Sequence, residues 1–178
     1  MTDPRTQPQY QIRFDWGYDG AAHITQGAHI LIWVDVLVES ALVPDRIEAP
    51  CAIVAGTVGN RDAVARWVLD RQVELGDRAT VAVVAAGGAD GRFAVEDLLA
   101  AGAIVDALAE VGIDYISPEA AAAVGAFTSL RNATSHVLSA SVSGQELINS
   151  RGREFVDAAK ELNAGQALSV LREFVHSA

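Results

Sequence analysis

Asp35 stands inside an otherwise apolar run, AHILIWVDVLV from Ala28 to Val38. A carboxylate buried there costs several kcal/mol unless it is paired, hydrogen-bonded or bound to a cation. The natural solution ends a strand near Asp35 and presents it at the carboxyl edge of a sheet, where open α/β folds place their ligands. A structural aspartate accepting loop amides is the alternative. Glu96 and Asp97 open a second apolar stretch. Negative charge in a first helical turn complements the helix dipole and is a sufficient structural reason for both. At about 100° per residue, Glu96 falls with Asp106 and Glu110 on a solvated face, whereas Asp97 aligns with Ala101, Ile104 and Leu108 on the inward one. An inward acid beside a strand-end aspartate is a way to hold Mg²⁺, with few carboxylates, several waters and a substrate phosphate.

Two glycine-bearing turns each follow a candidate strand and precede a candidate helix: Gly56-Thr57-Val58-Gly59-Asn60 and Gly87-Gly88-Ala89-Asp90-Gly91. Turns of this kind can close backbone amides around an anion, although plain turn chemistry explains them as well. Neither is a P-loop nor a complete dinucleotide fingerprint. Ser143-Gly144-Gln145-Glu146 has the spacing of a capping box. The four histidines have no metal-site spacing, no Gly-x-Ser-x-Gly elbow is present, and Cys51 at a strand start suits a core better than a nucleophile.

The elements that must position these residues are legible in outline. After a disordered-looking lead through Gln9, Tyr10–Trp16 alternates apolar and polar residues as a half-buried strand. Ala28–Val38 is almost continuously apolar, as a central strand covered on both faces should be. CAIVAG (Cys51–Gly56) and ATVAVVAAGG (Ala79–Gly88) are two more strands. Helices are expected over Arg61–Leu75 with Asn60 as N-cap, from about Phe93 to Glu110, and from Pro118 toward Arg131 with Ser117 as N-cap. Further helical pieces are expected around Gly144–Asn149, Glu154–Leu162 and Gln166–Val175. The order implies an α/β fold, with a largely parallel or mixed sheet flanked by helices and a helical C-terminal part.

With 178 residues and 51% hydrophobic side chains, the chain is read as one domain, 1–178, able to bury a core without disulfides. Its 13 basic against 23 acidic residues give a net charge of −10, and Lys160 is its only lysine. This excludes a nucleic-acid surface, which must neutralise several phosphates at once. No apolar run reaches membrane-spanning length, and the start has no charged-then-apolar leader pattern, so a cytoplasmic protein is expected. A single cysteine cannot form an internal bridge.

Taken in order, several segments resemble the 2-phosphosulfolactate phosphatase family. They are Phe14-Asp15-Trp16-Gly17, Val34-Asp35-Val36-Leu37, Ala55-Gly56 through Asn60, Ala86-Gly87, Val95-Glu96-Asp97-Leu98-Leu99-Ala100-Ala101-Gly102-Ala103, Ser143-Gly144-Gln145-Glu146-Leu147 and Ala159-Lys160-Glu161-Leu162. The resemblance implies a Mg²⁺-dependent phosphatase acting on a small anionic phosphomonoester, 2-phospho-3-sulfolactate in the coenzyme M pathway, with its site in an α/β cleft. It places Asp35, Asp97 and Asn60 at catalytic positions, Gly56, Gly87, Ser143 and Gly144 on substrate-binding loops, and Mg²⁺ on Asp35, Glu96 and Asp97. Against the family pattern, an internal segment is missing between about 40 and 50. Val38, Gly59 and the Gly88-Ala89 turn stand where basic residues are common, and Ser141 where cysteine is frequent. The alternative is a catalytically inactive relative acting as a binding or assembly protein. A homodimer would suit an acidic, alanine-rich surface with an opened cleft.

Overall fold

The computed structural model describes residues 3–37, 43–88 and 91–173. Val38, Ala89, Asp90 and the end of the expected C-terminal helix lie outside them. The parallel strands are β1 (Ile12–Trp16), β2 (Ile30–Val34), β3 (Ala52–Ala55) and β4 (Val81–Ala85), and β5 (Ser169–Arg172) runs antiparallel. They form one five-stranded mixed sheet in the order β1-β4-β2-β3-β5. β2 and β4 are buried along their whole length because both faces are covered.

The eight-residue helix α1 (Gly17–Ile24) covers one face, setting Ala21 and Ile24 against Leu31, Trp33, Ile53, Ala82 and Val84. On the other face, Ile30, Ile32, Val34, Val54, Val81 and Val83 meet α3 (Arg61–Leu75), α4 (Val95–Glu110) and α5 (Pro118–Leu130). A one-turn helix, α2 (Val43–Arg46), precedes β3. Helices α6 (Thr134–Ala140), α7 (Val142–Arg151) and α8 (Arg153–Ala164) follow α5. The chain leaves β1 toward one face and β4, its neighbour, toward the other. This divergence opens a crevice at the carboxyl ends of the strands.

Four expectations need correction. The lead through Gln9 is ordered: Pro4–Thr6 is a 3₁₀ turn, and the buried Gln7 side chain both donates to Phe14 O (2.8 Å) and accepts from Phe14 N (3.1 Å). It occupies backbone groups on the edge strand β1 that would otherwise be bare. The described part of the expected Gln166–Val175 helix, residues 166–173, is not helical, since Ser169–Arg172 pairs with β3. The open edge of β3 supplies hydrogen bonds that a short helix of ambiguous period cannot match. Arg172 adds to that edge by donating to Cys51 O (2.9 Å), Ile47 O (3.0 Å) and Ala49 O. Asn60 stands at the N-cap position of α3 as expected, but its side chain makes no capping hydrogen bond. The cap of α7 is Ser141, which accepts from Gly144 N (3.0 Å), so Ser143 lies inside the first turn rather than at the start of a capping box.

α4 is buried almost throughout because α5 and α6 also pack on it. Gly102 makes the crossing with α5 close: a Cβ there would sit 2.1 Å from the Ala123 carbonyl oxygen. Gly102→Ala must push the two helices apart, at a cost of about 2 kcal/mol. Its thermal midpoint is expected roughly 4–8 °C below wild type by scanning calorimetry; an unchanged midpoint would contradict this packing.

Candidate functional site

A cleft of about 550 Å³ opens at the carboxyl ends of β1, β2 and β4. Gly17 and Tyr18 enter it from the start of α1, Asp35 and Leu37 from the end of β2, and Ala86, Gly87 and Gly88 from the end of β4. Glu96 and Asp97 come from the first turn of α4, Arg46 from α2, and Ser143 and Glu146 from α7. β2 stops at Val34, so Asp35 is the first residue past the strand and is half-buried.

Asp97 is 2% exposed. One oxygen, Oδ1, accepts from Val36 N and the other, Oδ2, from Gly87 N, each at 2.9 Å. The side chain therefore bridges the loops after β2 and β4. Burial pushes its pKa well above the ordinary carboxylate range; the Asp35 and Glu96 charges act in the same direction, and the two amides oppose them. Glu96 is not on a solvated face. It is 5% exposed, and its Oε2 is buried without a hydrogen-bond partner. Helical-wheel arithmetic assumes one packed side, whereas the start of α4 is tied through Asp97 to the loops after β2 and β4 while the helix packs on the sheet.

Among the described residues, no group of three or more His, Cys, Asp or Glu is arranged to hold a metal ion. Asp35, Glu96 and Asp97 share the cleft but do not form a three-carboxylate cage, and Asp97 directs both oxygens at amides. The set fits a cation bound by at most two carboxylates, Asp35 and Glu96, with water completing the shell, as Mg²⁺ accepts. The orphaned Glu96 oxygen is the observation that favours such a cation.

The glycine turns do not offer their amides to a ligand in the expected way. Gly87 N–H is taken by Asp97, Gly88 N–H by Arg92 O (2.8 Å) and Gly91 N–H by Gly88 O (2.8 Å). In the other turn, Thr57 N donates to the Asn60 side chain, Val58 N to the Asn163 side chain and Gly59 N to Asn163 O. Asn60 stands outside the cleft, with its amide nitrogen donating to Ala55 O and Ala167 O. Gly56 is also outside it, where a Cβ would lie 2.3 Å from Ile104 Cδ1. Gly144 permits close approach of α6 and α7, since its Cβ would meet Leu138 O at 2.1 Å. Gly87 does line the cleft; its φ of +77° and the nearby Arg92 O require glycine. Ser143 lines it too.

The geometry brings in residues that sequence reasoning missed: Tyr18, Trp33, Arg46 and Glu146. Trp33 is 4% exposed, and its indole N–H has no acceptor. Tyr18 stacks on it with ring centroids 4.7 Å apart, and the Arg46 guanidinium sits 3.6 Å from the Tyr18 centroid. Glu146 pairs with Arg92 at 2.7 Å. No local motif marks any of them; only the adjacency of the Asp35 run to Trp33 hinted at one.

The family model for 2-phosphosulpholactate phosphatase matches residues 42–173, well over half of the chain. The chain belongs to this family. The match begins after β2, so Asp35, Tyr18 and Trp33 join the cleft on geometry alone, while Arg46, Glu96, Asp97 and Ser143 lie within the matched stretch. None of the curated proteins matches the chain. Among the described residues, no helix is long and apolar enough to cross a membrane.

Asp97 makes a pH prediction with a definite sign. Its folded pKa lies above the unfolded value of about 3.9, so its proton stabilises the fold below about pH 4, and that contribution is lost as pH rises through the folded value. Asp97→Asn turns an NH₂ group toward one of two amide donors, at a cost of about 1–3 kcal/mol. In urea titrations with EDTA, its deficit against wild type is expected to be largest in acid and to narrow as pH rises. A deficit that widens with pH would overturn the assignment.

Proposed function

We propose that the protein is a phosphatase hydrolysing a small phosphate monoester, with 2-phospho-3-sulfolactate, the substrate in the family's name, as the first candidate. The reading is carried by the buried, unpartnered Glu96 Oε2 lining the same cleft as Asp35 and Asp97, in a chain of this family. An acceptor oxygen desolvated among other acids needs a cation or a proton. Mg²⁺ held by Asp35 and Glu96 would supply charge neutralisation at the phosphoryl oxygens. Asp97 keeps the loops after β2 and β4 together and so fixes Asp35 relative to α4. Hydrolysis adds water to phosphorus and breaks the phosphorus–oxygen ester bond, and the proton lost by the attacking water balances the one gained by the departing alcohol.

A second reading is a relative that binds its ligand without turnover. It is favoured by the glycine-turn amides, which the fold consumes internally. One experiment separates the two. Phosphate release from 2-phospho-3-sulfolactate and from generic phosphomonoesters is measured with Mg²⁺ and with EDTA. The phosphatase reading expects Mg²⁺-dependent release, with Asp35→Asn lowering kcat/KM by about 100-fold or more. It also expects a Mg²⁺-dependent rise in thermal midpoint that Glu96→Gln abolishes, because only a site on the folded protein raises it by mass action. Release no higher than that of Asp35→Asn on every substrate would leave the binding reading standing.

A further inference from the structure

With the described glycine-turn amides occupied, the cleft still needs a donor for an anionic ligand. The guanidinium of Arg46 is the cationic group among its lining residues, and among the described residues no carboxylate pairs with it. By contrast, Arg5, Arg71 and Arg92 each hold a carboxylate at 2.7 Å. The Arg46 charge rests on the face of Tyr18, 3.6 Å away, and such a contact on an exposed guanidinium is weak. A fork of donors facing a planar or tetrahedral oxyanion gains about twice as much per bond as a neutral hydrogen bond. The exchange from ring to oxyanion is therefore favourable and asks only for rotation of a long side chain.

A second, independent observation points the same way. The Trp33 indole N–H is buried without an acceptor, Trp33 is a residue of this cleft wall, and the Tyr18 ring stacks on the Trp33 ring. A buried donor left without its bond destabilises the protein, and a ligand acceptor would relieve that. A movement of Tyr18 that accompanies release of Arg46 would open both donors together. Trp33 and Tyr18 belong to the α1 side of the sheet and Glu96 and Asp97 to the α4 side, so the cleft crosses the strand ends from an acidic wall to a cationic one.

We propose that Arg46, which rests on the Tyr18 ring, is the oxyanion-binding residue of this cleft and turns from the ring onto a ligand carboxylate, phosphate or sulfonate, with the Trp33 indole N–H as second donor. The proposal deepens the phosphatase reading by naming a binding subsite apart from the carboxylates, and it does not require turnover. Inorganic phosphate, acetate and methanesulfonate are titrated separately in EDTA, by calorimetry and by tryptophan fluorescence, into wild type, Arg46→Ala, Arg46→Lys and Tyr18→Leu. Circular dichroism checks that each variant is folded.

At least one anion is expected to bind wild type, and the three titrations identify which headgroup the site prefers. Arg46→Ala should weaken that binding about 10- to 100-fold, since a bond to a charged group contributes about 1.5–3 kcal/mol. Arg46→Lys should recover part of the loss, because a point charge lacks the fork. Tyr18→Leu, which removes the competing ring, should bind as tightly as wild type or a few-fold tighter. Unchanged anion affinity in Arg46→Ala overturns the proposal, as does absence of binding by wild type. Asp35→Asn keeps the two readings apart: turnover lost with anion binding retained supports both, and Arg46-dependent binding without turnover in any protein supports this subsite while removing the phosphatase.

Discussion

The Asp97 carboxylate is the joint on which the cleft depends. It accepts one amide from the loop after β2 and one from the loop after β4, each at 2.9 Å, and the carboxylate itself is buried. These strands are neighbours, and the loops leaving them would otherwise be tied to each other only through the sheet beneath. A side chain from the first turn of α4 thus converts two independent strand ends into one edge. That edge carries Asp35 on one loop and Gly87 on the other, so the positions of the groups facing a ligand follow from where Asp97 is held. The arrangement concentrates negative charge: burial and two neighbouring acids raise the affinity of Asp97 for a proton, and the two amides offset only part of it.

A consequence of this internal bonding is an unusual division of donors. Family resemblance and turn composition suggest amides wrapped around an anion, yet the glycine turns direct their N–H groups to Asp97, Asn60, Asn163 and backbone oxygens. The fold satisfies itself first, since a buried amide without an acceptor is costly. What remains toward the cleft is a wall of acids on the α4 side and the stack of Trp33, Tyr18 and Arg46 on the α1 side. A ligand able to use both walls carries negative charge at one end and brings or shares a cation at the other.

Much of the fold was legible along the chain because local signals were strong where elements are long or well bounded. The Arg61–Leu75 helix has the expected bounds, and Ser117 caps α5, accepting from Ala120 N at 3.2 Å as its position before Pro118 implied. The apolar runs at Ile30–Val34 and Val81–Ala85 form β2 and β4, two of the three interior strands. Short or mixed segments failed. Ser169–Arg172 became a strand because β3 had an open edge, and the 3₁₀ turn at Pro4–Thr6 formed around a glutamine that β1 could use. α1 went unread because its eight residues carry two glycines and weak helical signals.

The same division holds for the site. The burial cost of Asp35 and the inward angle of Asp97 are properties of the apolar stretches around them, and neither needs knowledge of what lies across the fold. For that reason the amino-acid sequence by itself determined the α/β class, the central strands, and which acids had to be accounted for. Where Glu96, Asn60 and Arg46 end up depends on elements tens of residues away. α4 is packed on nearly every side, so Glu96 is buried; the end of α8 and the segment after it close on the turn holding Asn60; and a one-turn helix brings Arg46 onto Tyr18. Only the tertiary structure decided these, because each rests on long-range contacts that no local period or spacing encodes.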